Sequence, residues 1–416
     1  MKLSKLNLAL LSFMICISIL LFSSCNNSES SYESTLKKRP GPDATMAAYH
    51  TDQYVWEKMV RAFQVKTEAP ENLNWELWAS EEYTYQNPCG PQPWPTKGIP
   101  ISKMSPKGIA FMDNLNNDSI NFNTTDFAIL TLNFTDPYYE ELRLNRPMFD
   151  YIQEMSLYNQ DSVYDLAKKG KINFPKEAMM IKAQWTPITD STINSGYYTK
   201  RISAYNKYDS IYLENQLMGL VGFHLVTHEL PKWVWSTFEF SGNVGLCDYI
   251  GCKDNFGCDV PYIPPKDIIN QGYKIGKTTP ALSALFKEYG IPEEFKNYRL
   301  KGSQTEYTDN EGTPILLGNS ILEMNLVTSS SCISCHARAT LNKVKHGSQN
   351  LSMFTGEITF DSITTGTATK GFHPTAYTGT PIPEDYLNDS SNPNSTYYRT
   401  DFMWQLAQEA KPCPND

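Results

Sequence analysis

The chain has 416 residues, 40% of them hydrophobic and 19% charged, which is enough for one large or two ordinary domains with a real core. Its formal net charge of -9 argues against nucleic acid as a partner, because phosphate-binding surfaces carry an excess of Lys and Arg. Basic patches on a protein partner would be attracted to so acidic a chain.

Residues 1–24 have the composition of a lipoprotein signal peptide. Two lysines precede an apolar run from about residue 8 to residue 22, and this run is shorter than a typical transmembrane helix. Two serines and Cys25 follow in an order similar to a bacterial lipobox, although Phe22 departs from the usual pattern. We expect the signal to be removed and Cys25 to carry a lipid. The protein would then be anchored in the cell envelope, facing the periplasm or the exterior.

Residues 25–43 are rich in Ser, Asn, Lys and Pro and hold almost nothing apolar, which predicts a flexible tether. A body follows over residues 44–322. Its first helix is predicted behind Asp52, where apolar residues recur at helical spacing. A second helical stretch is predicted from about Pro147 to Lys169, with Gly170 as its stop.

Strand signals appear between and after these helices. Two strands joined by a turn are predicted over residues 220–228 and 233–240, and alternation puts Trp235 on the face opposite Val234. A second hairpin is predicted from residue 305 to residue 323. Helices and strands alternate without a βαβ rhythm, so the sequence predicts an α+β body with β-hairpins.

The segment 323–416 carries the most informative motif, Cys332-Ile-Ser-Cys335-His336. Cys-x-x-Cys-His is the attachment signature of c-type haem, in which both thiols bond covalently to the vinyl groups and the histidine ligates iron. An export signal supports this interpretation, since covalent attachment takes place outside the cytoplasmic membrane. A zinc site and a redox dithiol remain alternatives for the cysteine pair. We expect a mainly helical, cytochrome c-like segment that ends in a short amphipathic helix over residues 401–410.

The sixth ligand of the iron stays open in the sequence. The candidates downstream of the motif are Met353, His373 and Met403, and those upstream are His224 and His228. A core role is favoured for Met403, which lies on the apolar face of the last predicted helix. His224 and His228 are four residues apart on a predicted strand, which separates their Cα atoms by about 13 Å and argues against one shared zinc ion. Both are expected to be structural histidines.

Five cysteines remain outside the motif and the signal: Cys89, Cys247, Cys252, Cys258 and Cys413. In an oxidising envelope we expect one bridge among the middle three, one distant bridge and one odd thiol. A metal cluster on the segment 247–258 is the less favoured alternative, because its spacings lack the Cys-x-x-Cys form.

Five segments carry a family resemblance that covers most of the chain beyond the signal: Gly222–Leu225, Trp233–Glu239, Leu317–Ser320, Ser330–Ala339 and Asp401–Trp404. They resemble a family of exported bacterial cytochrome c-like proteins with one Cys-x-x-Cys-His site. In that family a histidine usually follows Thr-Phe-Glu, whereas this chain has Phe240 there, so no role of that histidine carries over. The resemblance implies haem binding and electron transfer, and it implies no substrate.

Our first hypothesis is a lipid-anchored cytochrome with one covalent haem c, which passes single electrons between redox proteins of the envelope. A haem enzyme is the second hypothesis, either peroxidase-like or oxidising a substrate held by the body. A haem-dependent ligand-binding or sensor protein is the third. The size of the body motivates both alternatives, because an ordinary electron carrier needs no such mass.

Overall fold

The computed structural model describes residues 41–95, 105–107, 138–189, 192, 195–206, 211–243, 245–265, 274–323, 330–342 and 397–414. The predicted signal, Cys25 and most of the tether lie outside these ranges. Helices and strands are mixed, which confirms the α+β class. Residues Pro42–Asp416 fall within one compact unit. No helix in the described ranges has the length and apolar composition needed to cross a bilayer.

The described α-helices are mostly short. They are α1 (Ala44–Tyr49), α2 (Thr51–Phe63), α3 (Glu81–Tyr85), α4 (Arg146–Glu154), α5 (Gln160–Lys168), α6 (Pro280–Tyr289), α7 (Cys332–His336) and α8 (Trp404–Gln408). Two 3-10 helices cover Asn74–Leu77 and Glu293–Asn297. Helix α2 confirms the helix predicted behind Asp52.

The described strands are of very unequal length. They are β1 (Val65–Lys66), β2 (Ala69–Leu73), β3 (Ala79–Ser80), β4 (Ser105–Lys107), β5 (Tyr138–Leu144), β6 (Met179–Pro187), β7 (Thr199–Asn206), β8 (Ile211–Thr227), β9 (Val234–Phe240), β10 (Cys252–Lys253), β11 (Tyr262–Ile263), β12 (Tyr298–Gln304), β13 (Thr340–Asn342) and β14 (Tyr397–Arg399). Strands β8 and β9 confirm the hairpin predicted over residues 220–240.

Eight of the described strands form one antiparallel sheet in the order β12-β9-β8-β6-β5-β3, with β4 on β5 and β7 on β8. Side chains alternate between its two faces. Residues such as Phe223, Leu225 and Phe238 pack on one face against α2 and α6. The opposite face, which we call the motif face, presents Val226 and Trp235 to α4, α5, α7 and α8. The predicted separation of Trp235 from Val234 is therefore confirmed.

Two predicted elements of the body need correction. The helical stretch 147–169 is two helices, because Ser156 takes a positive φ of 55° and the side chain of Asn159 caps α5. Gly170 does take the left-handed conformation at the predicted stop. In the predicted hairpin 305–323 the turn is present, but its arms meet only in the bridge between Thr308 and Pro314. Strand β12, which ends just before this turn, pairs with β9.

The described part of the segment 323–416 contains two short helices and the small β13–β14 sheet. The final helix begins at Trp404 and not at residue 401. Disulfides Cys247–Cys252 and Cys89–Cys413 leave Cys258 as the odd thiol, which confirms the predicted pattern of one local and one distant bridge. The local bridge occupies two of the three sulfurs that a metal cluster would need.

Candidate functional site

The motif helix α7 is anchored to the edge strand of the sheet through one side chain. The Gln304 carboxamide accepts a hydrogen bond from the Ile333 amide at 3.2 Å and donates one to the Ser331 hydroxyl at 3.1 Å. Ile333 is completely buried in the cluster on the motif face. This anchorage holds the start of the helix against the sheet.

The two motif cysteines lie three residues apart on α7, which puts them on one side of the helix. Both are free thiols and both are half-buried. Burial, reinforced by the nearby Glu323 carboxylate, raises the pKa of Cys335 to about 11 and that of Cys332 well above its usual range. Reactive dithiols need a lowered thiol pKa, so this environment counts against the redox-dithiol alternative.

His336 has one ring nitrogen committed to the backbone. Its Nδ1 lies 2.8 Å from the carbonyl oxygen of Phe402, which can only accept, so Nδ1 carries the proton and Nε2 is left to bind a metal. Burial is the main reason that the pKa of His336 falls to about 3, so the ring is neutral at physiological pH. A neutral ring whose other nitrogen donates to a carbonyl is the usual state of a metal-ligating histidine.

A strained turn delivers this carbonyl to the motif histidine. Asp401 and Phe402 have positive φ values of 52° and 66°, a backbone conformation that costs an L-residue about 1–3 kcal/mol. The Asp401 carboxylate accepts the Phe174 amide at 3.0 Å, and the Thr400 hydroxyl donates to the Met403 carbonyl at 2.9 Å. These bonds hold the turn in place. They also explain why the last helix starts three residues later than predicted.

The candidate sixth ligands differ in where the structure places them. Met403 is fully buried in the apolar cluster, which confirms the core role favoured for it. Met353 and His373 lie outside the described residues. His224, on β8, is in register with Lys182 of β6 and Thr237 of β9, so it belongs to the polar part of the motif face.

Glu323 holds the ring of His224. Its carboxylate lies 2.8 Å from Nε2, and the Nδ1 atom of His224 is buried without a hydrogen-bond partner. Burial alone would raise the pKa of Glu323, but the facing His224 ring and Lys182 outweigh it and lower the pKa to about 2. Glu323 is therefore a carboxylate that accepts a hydrogen bond from Nε2 of His224, and Nδ1 is the ring nitrogen left without a partner.

The segment 317–323 carries Glu323 to this position. The Asn319 side chain donates to the Thr237 hydroxyl at 2.9 Å, and the Glu323 carboxylate accepts the Asn319 backbone amide at 2.6 Å. Gly222 makes the close approach possible, since a Cβ there would lie 2.9 Å from both the Asn319 side-chain nitrogen and the Phe238 carbonyl. Three of the segments that carry the family resemblance therefore meet at one point.

A buried ion pair supports the same segment. Glu239 and Lys301 have completely buried side chains whose charged atoms lie 3.4 Å apart. Glu239 also accepts the Ser320 amide at 2.6 Å and the Ser320 hydroxyl. The motif itself contacts this segment, since the Cys332 thiol donates to the Leu317 carbonyl at 3.5 Å.

Comparisons with protein-family models, with curated proteins and with solved structures find no match to this chain. The family resemblance therefore stays a prediction. Among the described residues no group of three or more His, Cys, Asp or Glu side chains could hold a metal ion, which gives the zinc alternative no support. His228 donates toward the Pro175 carbonyl at 3.3 Å and lies 3.9 Å from Asp401, in keeping with the structural role expected of it.

The motif residues nevertheless fit a covalently attached haem. Both thiols are free and lie on one side of α7. His336 is neutral, and its Nδ1 proton is already bound by Phe402. The sequence pointed to these three residues, but it gave no signal for Gln304 or Glu323, which act on the motif and on His224 across long stretches of chain.

Proposed function

We propose that this chain is a c-type cytochrome that carries one covalently bound haem and transfers single electrons. Cys332 and Cys335 would form the thioether links, and His336 would ligate the iron through Nε2. The observation that carries the proposal is the 2.8 Å hydrogen bond between His336 Nδ1 and the Phe402 carbonyl, next to two unpaired thiols. A histidine with only a packing role would not require a strained turn to fix one nitrogen and leave the other.

When bound, haem supplies a metal centre that gains and loses one electron. The protein residues would tune and shield that centre. The Phe402 carbonyl fixes the His336 ring and increases its basicity, which favours the oxidised state. Trp235 is only 2% exposed, and its indole packs on the His336 ring with 4.3 Å between the ring centroids. This packing limits the access of water. Little rearrangement would then accompany electron transfer.

The cellular setting belongs to the same proposal. Cleavage after residue 24 and lipidation of Cys25 would anchor the protein in the cell envelope and keep the body at the membrane surface. Redox proteins of the envelope with basic docking patches are the proposed partners, because the chain is acidic. Electron exchange with such a partner should slow as ionic strength rises.

Expression in a host that can attach haem c tests the proposal. After denaturation, the wild-type chain should keep its haem stain, and the double variant Cys332→Ala with Cys335→Ala should lose it. Cys258→Ala is the matched control, because Cys258 is the other free cysteine in the described chain and lies outside the motif. The proposal fails if the wild type carries no covalent haem, or if the double variant stains as strongly as the control.

A further inference from the structure

The strongest unexplained feature near the motif is the buried Nδ1 atom of His224. It has no hydrogen-bond partner, and His224 as a whole is 8% exposed. An unpartnered polar atom in such a place is destabilising unless a ligand satisfies it. The other ring nitrogen is bound by Glu323 at 2.8 Å. The ring is thus held in one orientation by a carboxylate, and its Nδ1 atom is left without a partner.

His224 also lies on the same surface as the motif. Val226 is in register with Trp235, whose ring contacts that of His336. His224 is two residues from Val226 along β8, which is about 7 Å on the same face. The segment 317–323 also links the two sites, since Glu323 holds His224 at 2.8 Å and the Leu317 carbonyl accepts the Cys332 thiol at 3.5 Å.

We infer that His224, held by Glu323, supplies the second axial ligand of the iron proposed at His336. This inference rests on the proposed function. His224 comes from the sheet and His336 from the motif helix, so the two rings belong to separate elements. The Glu323 carboxylate holds Nε2 of His224 just as the Phe402 carbonyl holds Nδ1 of His336, and each contact leaves the other ring nitrogen for a metal.

The other groups nearby are less suited to this role. Lys182 lies 3.2 Å from the Glu140 carboxylate in an ion pair. Met403 is fully buried in the apolar cluster. His228 lies beyond the end of β8 and faces Pro175 and Asp401. Two histidine ligands would give a low-spin centre with a lower midpoint potential than a histidine–methionine pair.

Absorption spectra of the haem-loaded protein, with and without carbon monoxide, test the assignment. The reduced wild type should be low-spin and indifferent to carbon monoxide. His224→Ala should be high-spin and should bind carbon monoxide, and added imidazole should restore the low-spin spectrum. Met403→Leu is the matched control and should behave like the wild type.

Two further variants keep the test decisive if His224→Ala folds poorly. His224→Met offers another ligand of similar size and should stay low-spin with a higher midpoint potential. Glu323→Gln should stay low-spin and also raise the potential, because the ring becomes less basic.

Two results would overturn the assignment while leaving the cytochrome proposal intact. One is a stained His224→Ala protein whose spectra equal those of the wild type, which would move the search to Met353 and His373. The other is a stained wild type that binds carbon monoxide freely. A wild type without any covalent haem would instead refute the proposed function itself.

Discussion

Removal of the Glu239 carboxylate should be among the most damaging single changes in this chain. Glu239 and Lys301 are both fully buried, and the carboxylate also accepts the amide and hydroxyl of Ser320. In Glu239→Ala the Lys301 ammonium loses its counter-charge inside the protein. Breaking a buried pair in this way costs about 3–5 kcal/mol. Total stabilities lie at roughly 5–15 kcal/mol, so a large part of the folding free energy is at stake.

The measurement is urea unfolding followed by tryptophan fluorescence, with the single variants Glu239→Ala and Lys301→Met and the double variant that combines them. We expect each single variant to lose about 4 kcal/mol. The double variant should lose less than either single variant, because no buried charge is left without a partner. Its remaining loss, about 1–3 kcal/mol, would come from the unsatisfied Ser320 amide.

A clear result would refute this reasoning. If Glu239→Ala loses less than about 1 kcal/mol, the pair is not buried in the way described. If the losses of the single variants simply add in the double variant, the two side chains are not coupled. Glu288→Ala, at an exposed position of α6, is the control for surface substitution and should change stability by less than about 1 kcal/mol.

Three further predictions concern other parts of the fold. Burial raises the pKa of Asp254 from 3.8 to about 6, so the folded state binds the extra proton and stability falls as pH rises through this window. In urea unfolding from pH 4 to pH 7 the loss should be roughly 3 kcal/mol. Stability curves for Asp254→Asn that run parallel to those of the wild type would contradict this prediction. The Cys89–Cys413 bridge joins residues 324 apart and the Cys247–Cys252 bridge residues only 5 apart. By loop length alone, replacing the first pair by serine should cost about 5–6 kcal/mol and the second about 2 kcal/mol, and the reverse order of melting temperatures would contradict the loop-length argument. Gly222→Ala should cost about 1–3 kcal/mol, because the new Cβ meets the Phe238 backbone at 2.9 Å; unchanged thermal stability would contradict it.

The sequence predicted elements wherever one local pattern decides the structure. Helix α2 follows from its apolar stripe, and the β8–β9 hairpin follows from alternation around a short turn. The residue pairing of the disulfides could be narrowed to a pattern but not fixed, because only the fold brings Cys89 within reach of Cys413. Predictions failed where non-local contacts decide. The hairpin predicted over residues 305–323 is reduced to a turn with one bridge, between Thr308 and Pro314.

Part of the candidate site could likewise be predicted from the sequence, and part could not. Cys332, Cys335 and His336 are adjacent in sequence and carry a recognisable spacing. Their supports are not adjacent: Phe402 is 66 residues from His336, and Glu323 is 99 residues from His224. Sequence periodicity carries no information on a backbone carbonyl presented by a strained turn or on a carboxylate at the end of a loop. Those contacts became visible only in the folded chain.

The central claim is that a haem is covalently attached at the motif. Intact-mass spectrometry of the exported, denatured protein tests it most directly, followed by proteolysis to locate any added mass. The account predicts one haem per chain, attached to the peptide that contains residues 332–336. A chain with the mass of its amino acids and lipid alone, produced in a host that attaches haem to other c-type cytochromes, would contradict it.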